Sequence, residues 1–199
     1  LTSVIDAFDA EIAIVRNGNC SMLAMNEPAR ARIDLARLQH MMGDSGAALG
    51  TLQALSRQAP AAVPLATPLM LETAIAAGQA PEMQALLQAH YAQAPSLDVL
   101  EGIVALQALN PTDAATARQW YVRHLDKEQS LVAAAKWLAE EKLEHEEFHP
   151  QIQRALDHAV KPLTRYRCAA CGFEARQHFW QCPGCQTWDS YPARRVEEL

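Results

Sequence analysis

The 199-residue sequence has little of what several common protein classes require. It holds five cysteines, an odd and sparse set that excludes a secreted disulfide scaffold. No apolar run approaches the roughly 18 residues of a membrane-spanning helix. Lys and Arg number 17 against 23 Asp and Glu, a formal net charge of −6, so the basic footprint of a general nucleic-acid binder is missing. There is no phosphate loop, no Rossmann glycine pattern and no G-x-S-x-G elbow, which removes the enzyme classes built on them. Strand formers are thin and aromatics make up only 6% of residues, which argues against a sheet-based body. The first residue is Leu1 rather than Met, so a fragment or processed product is expected, with room for an N-terminal membrane anchor before it.

What is present is concentrated at the C-terminus. Cys168-Ala-Ala-Cys171-Gly172-Phe173 is followed, after a ten-residue gap, by Cys182-Pro183-Gly184-Cys185. Each C-x-x-C pair can place two sulfurs around one tight turn, and two such turns facing each other build a tetrahedral thiolate site. Two disulfides or a C-x-x-C redox pair are the rival readings; the short duplicated spacing favours a metal. Zinc and a single iron suit four thiolates equally in geometry, and zinc is expected ahead of iron as a structural ion. Arg165, Arg167 and Arg176 lie near enough in sequence to soften the negative charge of such a centre. Gly172 and Gly184 offer the conformational freedom that the two turns need. His178-Phe179-Trp180-Gln181 reads as a strand leading into the second turn. Cys20 stands alone and reads as a structural thiol.

Half of the twelve aromatics lie in this segment, among them Tyr166, Trp180, Trp188 and Tyr191. About 30 residues cannot bury enough surface to fold alone. Metal binding, worth about 10–16 kcal/mol for structural zinc, makes up the difference. The aromatics that do not cover the metal turns are expected to dock the module on the last helices through Trp180 or Trp188.

The rest of the chain reads as helices rich in Ala and Leu. Residues 1–150 carry a net charge of −8 and residues 151–199 a net of +2. Gly43 and Gly78 are 35 residues apart, and so are Pro60 and Pro95. A glycine past one helix and a proline past the next, recurring at that period, match a two-helix repeat of about 34 residues. The clearest units are 29–60 and 64–95. The first has helix A from Ala29 to Met42, with Leu35 and Leu38 facing inward, and helix B with Ala48, Leu52 and Leu55. The second keeps Gly78, Leu87 and Pro95, with Met83 at the small-residue position. Further helices are expected at 96–109, 113–125, 129–147 and 150–160. An unrelated helical bundle is the alternative.

His145-Glu146-Glu147-Phe148-His149 fits the H-E-x-x-H pattern of zinc proteases. It sits in a charged run that reads as a solvated helix surface, Pro150 is expected to end that helix, and no third ligand follows at a suitable spacing. The charged-surface reading is preferred.

The first unit resembles a tetratricopeptide repeat, although the Trp and Tyr marks of that family are replaced by Arg32 and Gln39. The resemblance implies a curved solenoid with a concave partner-binding face, on which the family's groove positions fall at Arg30, Ile33, Arg37 and His40. The two arginines and the histidine would suit an acidic segment or a carboxylate; an ordinary solvated helix face is the competing reading.

The order of parts, with Tyr166-Arg167-Cys168-x-x-Cys171-Gly172-Phe173 and Trp180-x-Cys182-Pro183-x-Cys185-x-x-Trp188, resembles the C-terminal half of the lipopolysaccharide assembly protein B family. That resemblance implies a mainly α fold: a tetratricopeptide-like helical solenoid over 1–160 and a small β-rich, rubredoxin-like zinc ribbon over 161–199. Cys168, Cys171, Cys182 and Cys185 are the metal ligands it implies. The implied role is a non-catalytic adaptor at the cytoplasmic face of the bacterial inner membrane, anchored by an N-terminal helix absent from this chain. It would bring the deacetylase of the lipid A pathway to a membrane AAA+ protease, opposed by an inner-membrane regulator. No nucleic-acid partner and no small-molecule substrate are expected. The alternatives are an iron-containing electron-transfer protein of rubredoxin type and a generic protein-binding repeat module with a structural zinc.

Overall fold

In a computed structural model of the chain, the described residues are 27–110, 114–139 and 146–199. Cys20 and His145 lie outside them.

Helix α1 (Glu27–Met41) and helix α2 (Ser45–Gln58) form the first hairpin. Gly43 takes φ +84°, a left-handed value that glycine adopts without steric cost. The Gly43 amide then donates to the His40 carbonyl and the Asp44 amide to the Gln39 carbonyl, which satisfies the last carbonyls of α1. Asp44 also caps α2, its side chain accepting from the Ala47 amide at 2.9 Å. Helices α3 (Val63–Ala76) and α4 (Ala80–Gln93) repeat the pattern. Gly78 has φ +68°, and the Gly78 and Gln79 amides donate to Ile75 and Ala74. The 35-residue spacing seen in the sequence is thus one helix-ending turn used twice.

The inner face of α1 is Ala29, Ile33 and Ala36. Leu38 is 57% exposed, contrary to expectation. Two residues beyond Ala36 is about 200° around the helix, so both cannot face the same partner. Ala48 is fully buried, as a close helix pair requires, and Met83 fills the corresponding place in the second hairpin.

Helix α5 (Leu97–Ala108) lies against α3 and α4. Gly102 makes this approach possible: a Cβ there would sit 2.5 Å from Thr67 Cγ2, with Leu71 and Leu87 methyls close behind. Thr67 is buried and short, so it cannot swing away. Gly102→Ala is expected to cost about 1–3 kcal/mol by overpacking, even though alanine is the better helix former. Denaturant unfolding of the variant reads this directly.

The expected helix at 113–125 is divided at Arg118 into α6 (Ala114–Ala117) and α7 (Gln119–Leu125). The Tyr91 hydroxyl and His124 Nδ1, 2.6 Å apart and buried, tie α4 to α7. Helix α8 (Leu131–Ala139) starts two residues later than the expected 129–147, and residues 146–148 form a single 3-10 turn instead of helix. Pro150 does not end a helix. It sits in the first turn of α9 (His149–Val160), where its missing N–H has no intrahelical role.

After α9 the chain enters the cysteine module. Strand β1 (Tyr166–Arg167) pairs antiparallel with β2 (Glu174–Ala175), Tyr166 opposite Ala175. The expected strand at 178–181 is confined to one bridge, Gln181 opposite Trp188. The chain there is shaped by the metal turn and by aromatic packing instead of a ladder. A small core of Tyr166, Cys168, Cys182 and Tyr191 forms beneath the hairpin, and Leu65 of α3 packs on both this core and the main one.

Candidate metal centre and its junction with the helices

The two C-x-x-C turns are built alike. In the first, the Gly172 amide donates to the Cys168 carbonyl at 2.9 Å and the Cys168 amide to Phe173 at 2.9 Å. In the second, Gln186 donates to Cys182 at 2.8 Å and Cys182 to Thr187 at 2.9 Å. The left-handed residue follows the second cysteine each time: Gly172 at φ +77° and Gln186 at φ +60°. Gly184 is not among the left-handed residues. An added Cβ there would meet the Phe173 side chain at 3.4 Å, an ordinary van der Waals contact. Gln186 holds a conformation that disfavours a side chain, so Gln186→Gly is expected to raise stability by up to about 1 kcal/mol. Gly172→Ala should lower it by about the same amount. Thermal melts of the metal-loaded variants check both signs.

These turns bring four sulfurs together. Cys168 Sγ lies 3.8 Å from Cys185 Sγ, and Cys171 Sγ lies 3.7 Å from Cys182 Sγ. All four sulfurs are within 4.8 Å of one another. A tetrahedron with zinc–sulfur bonds of about 2.3 Å has edges of about 3.8 Å, whereas a disulfide needs about 2.05 Å. The donor set therefore fits one tetrahedral ion, and the four cysteines are free thiols.

Without a cation the set is electrostatically divided. Burial pushes the Cys168 thiol up, but hydrogen bonds from Ser190 and the Cys171 and Ala170 amides outweigh it and hold it at about 6. The Phe173 amide favours the Cys171 thiolate, yet burial and the neighbouring sulfurs push that thiol up to about 12. A bound divalent ion removes the conflict by taking all four as thiolates. The Gly184 amide also points at Cys182 Sγ, at 3.4 Å. Arg165 and Arg167 are less available to the centre than expected, because both pair with Glu174, at 3.6 and 2.8 Å.

The module is bound to the helices at three places. Trp180 packs against the main core, and the Arg30 guanidinium of α1 lies 5.8 Å from the centre of the Trp188 ring. Trp188 thus meets the first helix, where docking on the last helices was expected. The second place is a charge pair: Arg195 forks onto Asp98 of α5 with contacts of 2.6 and 3.1 Å. Arg195 also donates to the Thr164 carbonyl at 2.7 Å and stacks on Tyr166, its guanidinium carbon 4.2 Å from the ring centre. The third is a pair of carboxylates. Glu197 accepts from the Leu131 and Val132 amides at 2.6 and 3.1 Å, and Glu198 accepts from the Leu97 amide at 2.8 Å. The C-terminal segment therefore caps the starts of both α8 and α5, where carboxylates are favoured.

Asp98, Arg195, Glu197 and Glu198 were not anticipated from the sequence. The only available signal was the Arg-Arg-x-Glu-Glu cluster, Arg194 to Glu198, at the end of the chain. Of the anticipated partner residues, Arg30 and Arg37 both pair with Asp34, at 3.7 and 3.2 Å, and His40 Nδ1 lies 3.0 Å from Ser45 Oγ. Ile33 belongs to the core instead of a groove. His149 Nε2 donates to the Leu138 carbonyl at 3.0 Å, which gives it a structural contact between α8 and α9.

Fold and site together define a helical-repeat body closed by a rubredoxin-type metal-binding domain. Residues 166–191 match the family model described as the rubredoxin metal binding domain. The chain is 42% identical over 41 residues to lipopolysaccharide assembly protein B of Escherichia coli strain K12. It is 31% identical over 39 residues to the protein of the same name from Haemophilus influenzae. Each match covers 20% of this chain and 10% of the relative. These matches support assignment to the lipopolysaccharide assembly protein B family, and the C-terminal fifth carries them. Among the described residues no helix is long and apolar enough to cross a membrane.

Proposed function

We propose that the chain works as a non-catalytic adaptor in the control of lipopolysaccharide assembly, with zinc as its structural metal. One observation carries the reading: the metal module is built into the repeat body through Asp98–Arg195 and the two helix caps. An ion held by four thiolates and locked to a scaffold suits a staple that fixes the shape of a partner-binding surface. The partners in this reading are the deacetylase of the lipid A pathway, a membrane AAA+ protease that degrades it, and an inner-membrane regulator that opposes them. The place of action is the cytoplasmic face of the inner membrane. Arg30, Arg37 and His40 remain the proposed partner surface on α1. The test is deacetylase half-life in cells with and without the gene. Slower turnover on deletion is expected, and unchanged turnover contradicts the adaptor role.

Rubredoxin-type electron transfer with iron is the second reading. It is favoured by one feature: Cys171 and Cys185 are exposed, so an ion there lies close to solvent. A coloured native protein with reversible one-electron chemistry would establish it; a colourless, zinc-loaded protein would remove it.

A further inference from the structure

A cleft away from the cysteine sulfurs is lined by more cations than anions. It has a volume of about 470 Å³ and lies where α5, α8, the turn after α9 and the cysteine module converge. Its charged lining is five cations, from Lys136, Lys161, Arg165, Arg176 and Arg195, against Asp98 and Glu101. Both carboxylates are already engaged. Asp98 is taken by Arg195, and Glu101 by Lys136 at 2.8 Å. Arg165 makes one long contact, 3.6 Å to Glu174, which Arg167 also holds at 2.8 Å. The Lys161 and Arg176 side chains are exposed, and among the described residues neither forms an ion pair or hydrogen bond. Three positive charges are thus left over at one concavity, in a chain whose net charge is −6.

Like charges gathered in a cleft focus a positive potential and raise the local concentration of anions. The volume is in the range of small-ligand sites, and Leu97 and Val132 give it an apolar wall. Arginine presents a planar fork of donors that matches phosphate oxygens, and lysine adds a point charge. We propose that this cleft binds a small anion bearing phosphate, with at least two negative charges. The site lies at the seam between module and body, on the same Arg195 that joins them, so an occupant would bridge the two. The proposal stands apart from the adaptor reading and from the metal site.

The test is calorimetric titration of the metal-loaded full chain with inorganic pyrophosphate at low salt. Saturable binding at one site per chain is expected. The double variant Lys161→Ala, Arg176→Ala should weaken it at least about tenfold, because it removes two charge-assisted contacts. Its thermal midpoint should not move, since neither side chain supports the fold. No binding by the unaltered chain, or equal binding by the double variant, overturns the proposal. Sedimentation with phosphatidylglycerol vesicles identifies the source of the phosphate. Retention that the double variant loses assigns a lipid headgroup, and the absence of such retention assigns a soluble phosphate ester. A glutamate-rich peptide that binds at these residues more tightly than pyrophosphate would overturn the phosphate assignment in favour of a protein partner.

Discussion

Replacing Cys168 and Cys171 with serine is expected to abolish metal binding and also to lower the stability of the helices. The first effect follows from the donor set, since two of four thiolates are removed. The second follows from the junction. Without its ion the module keeps, besides its contacts with the helices, a core of only Tyr166, Cys168, Cys182 and Tyr191, and metal binding worth about 10–16 kcal/mol is gone. When it unfolds, the caps that Glu197 and Glu198 place on α8 and α5 lose their anchor, and so does the Arg195–Asp98 pair. Each cap is worth about 1 kcal/mol, and the loss of a mostly buried partner adds to this, so the body should lose about 3 kcal/mol. For a body of this size the helical melting midpoint should fall by about 10 °C. Ellipticity at 222 nm measures it. A helical midpoint that stays where it was would show a merely tethered module.

Asp98→Ala should have the next largest effect, and without touching the cysteines. Asp98 accepts three hydrogen bonds from Arg195 and its side chain is 10% exposed. The neighbouring Tyr166 hydroxyl is 3.4 Å away, and burial and the Asp98 charge push the Tyr166 phenol up beyond its ordinary range. Removing the carboxylate leaves a three-quarters-buried guanidinium beside a tyrosine ring, with the Thr164 carbonyl as its one acceptor among the described residues. Breaking such a pair from one side costs about 3 kcal/mol or more, because the remaining charge is left uncompensated. Asp98→Asn should recover part of this by keeping one acceptor. Chemical denaturation of the three proteins orders them: unaltered, then Asn, then Ala. Equal stability of Ala and unaltered protein would show that the pair contributes nothing to the junction.

The parts legible in the sequence were those set by local chemistry. Two cysteines three positions apart determine a turn by themselves, so all four ligands could be named before any fold was known. Gly43 and Gly78 were legible for the same reason, since a left-handed helix end is a local event. Leu38 was misplaced because hydrophobicity alone does not say which face of α1 meets a neighbour; Ala29 and Ala36, though smaller, do. The strand expected at 178–181 was misread from its aromatics, which serve packing: His178 sits edge-on to Tyr166, Trp180 and Tyr191. Pro150 was read as a stop because proline breaks helix interiors and starts helices equally well. The junction was out of reach in principle. Arg195 meets Asp98 across 97 residues and Glu198 meets Leu97 across 101, and no local pattern encodes pairs so distant.

The chemistry of the site also explains why the C-terminal fifth carries the family resemblance. A four-thiolate site tolerates few substitutions at its cysteines. A helical face tolerates many, provided its apolar period is kept.

With the module joined to the body through Asp98–Arg195 and the two caps, metal module and helices are expected to unfold together. The direct measurement is a thermal melt of the metal-loaded chain followed at once by ellipticity and by metal release to a chromogenic chelator. The account predicts one transition, with helix loss and metal release at the same midpoint. Helices that persist intact after the metal has left would contradict it.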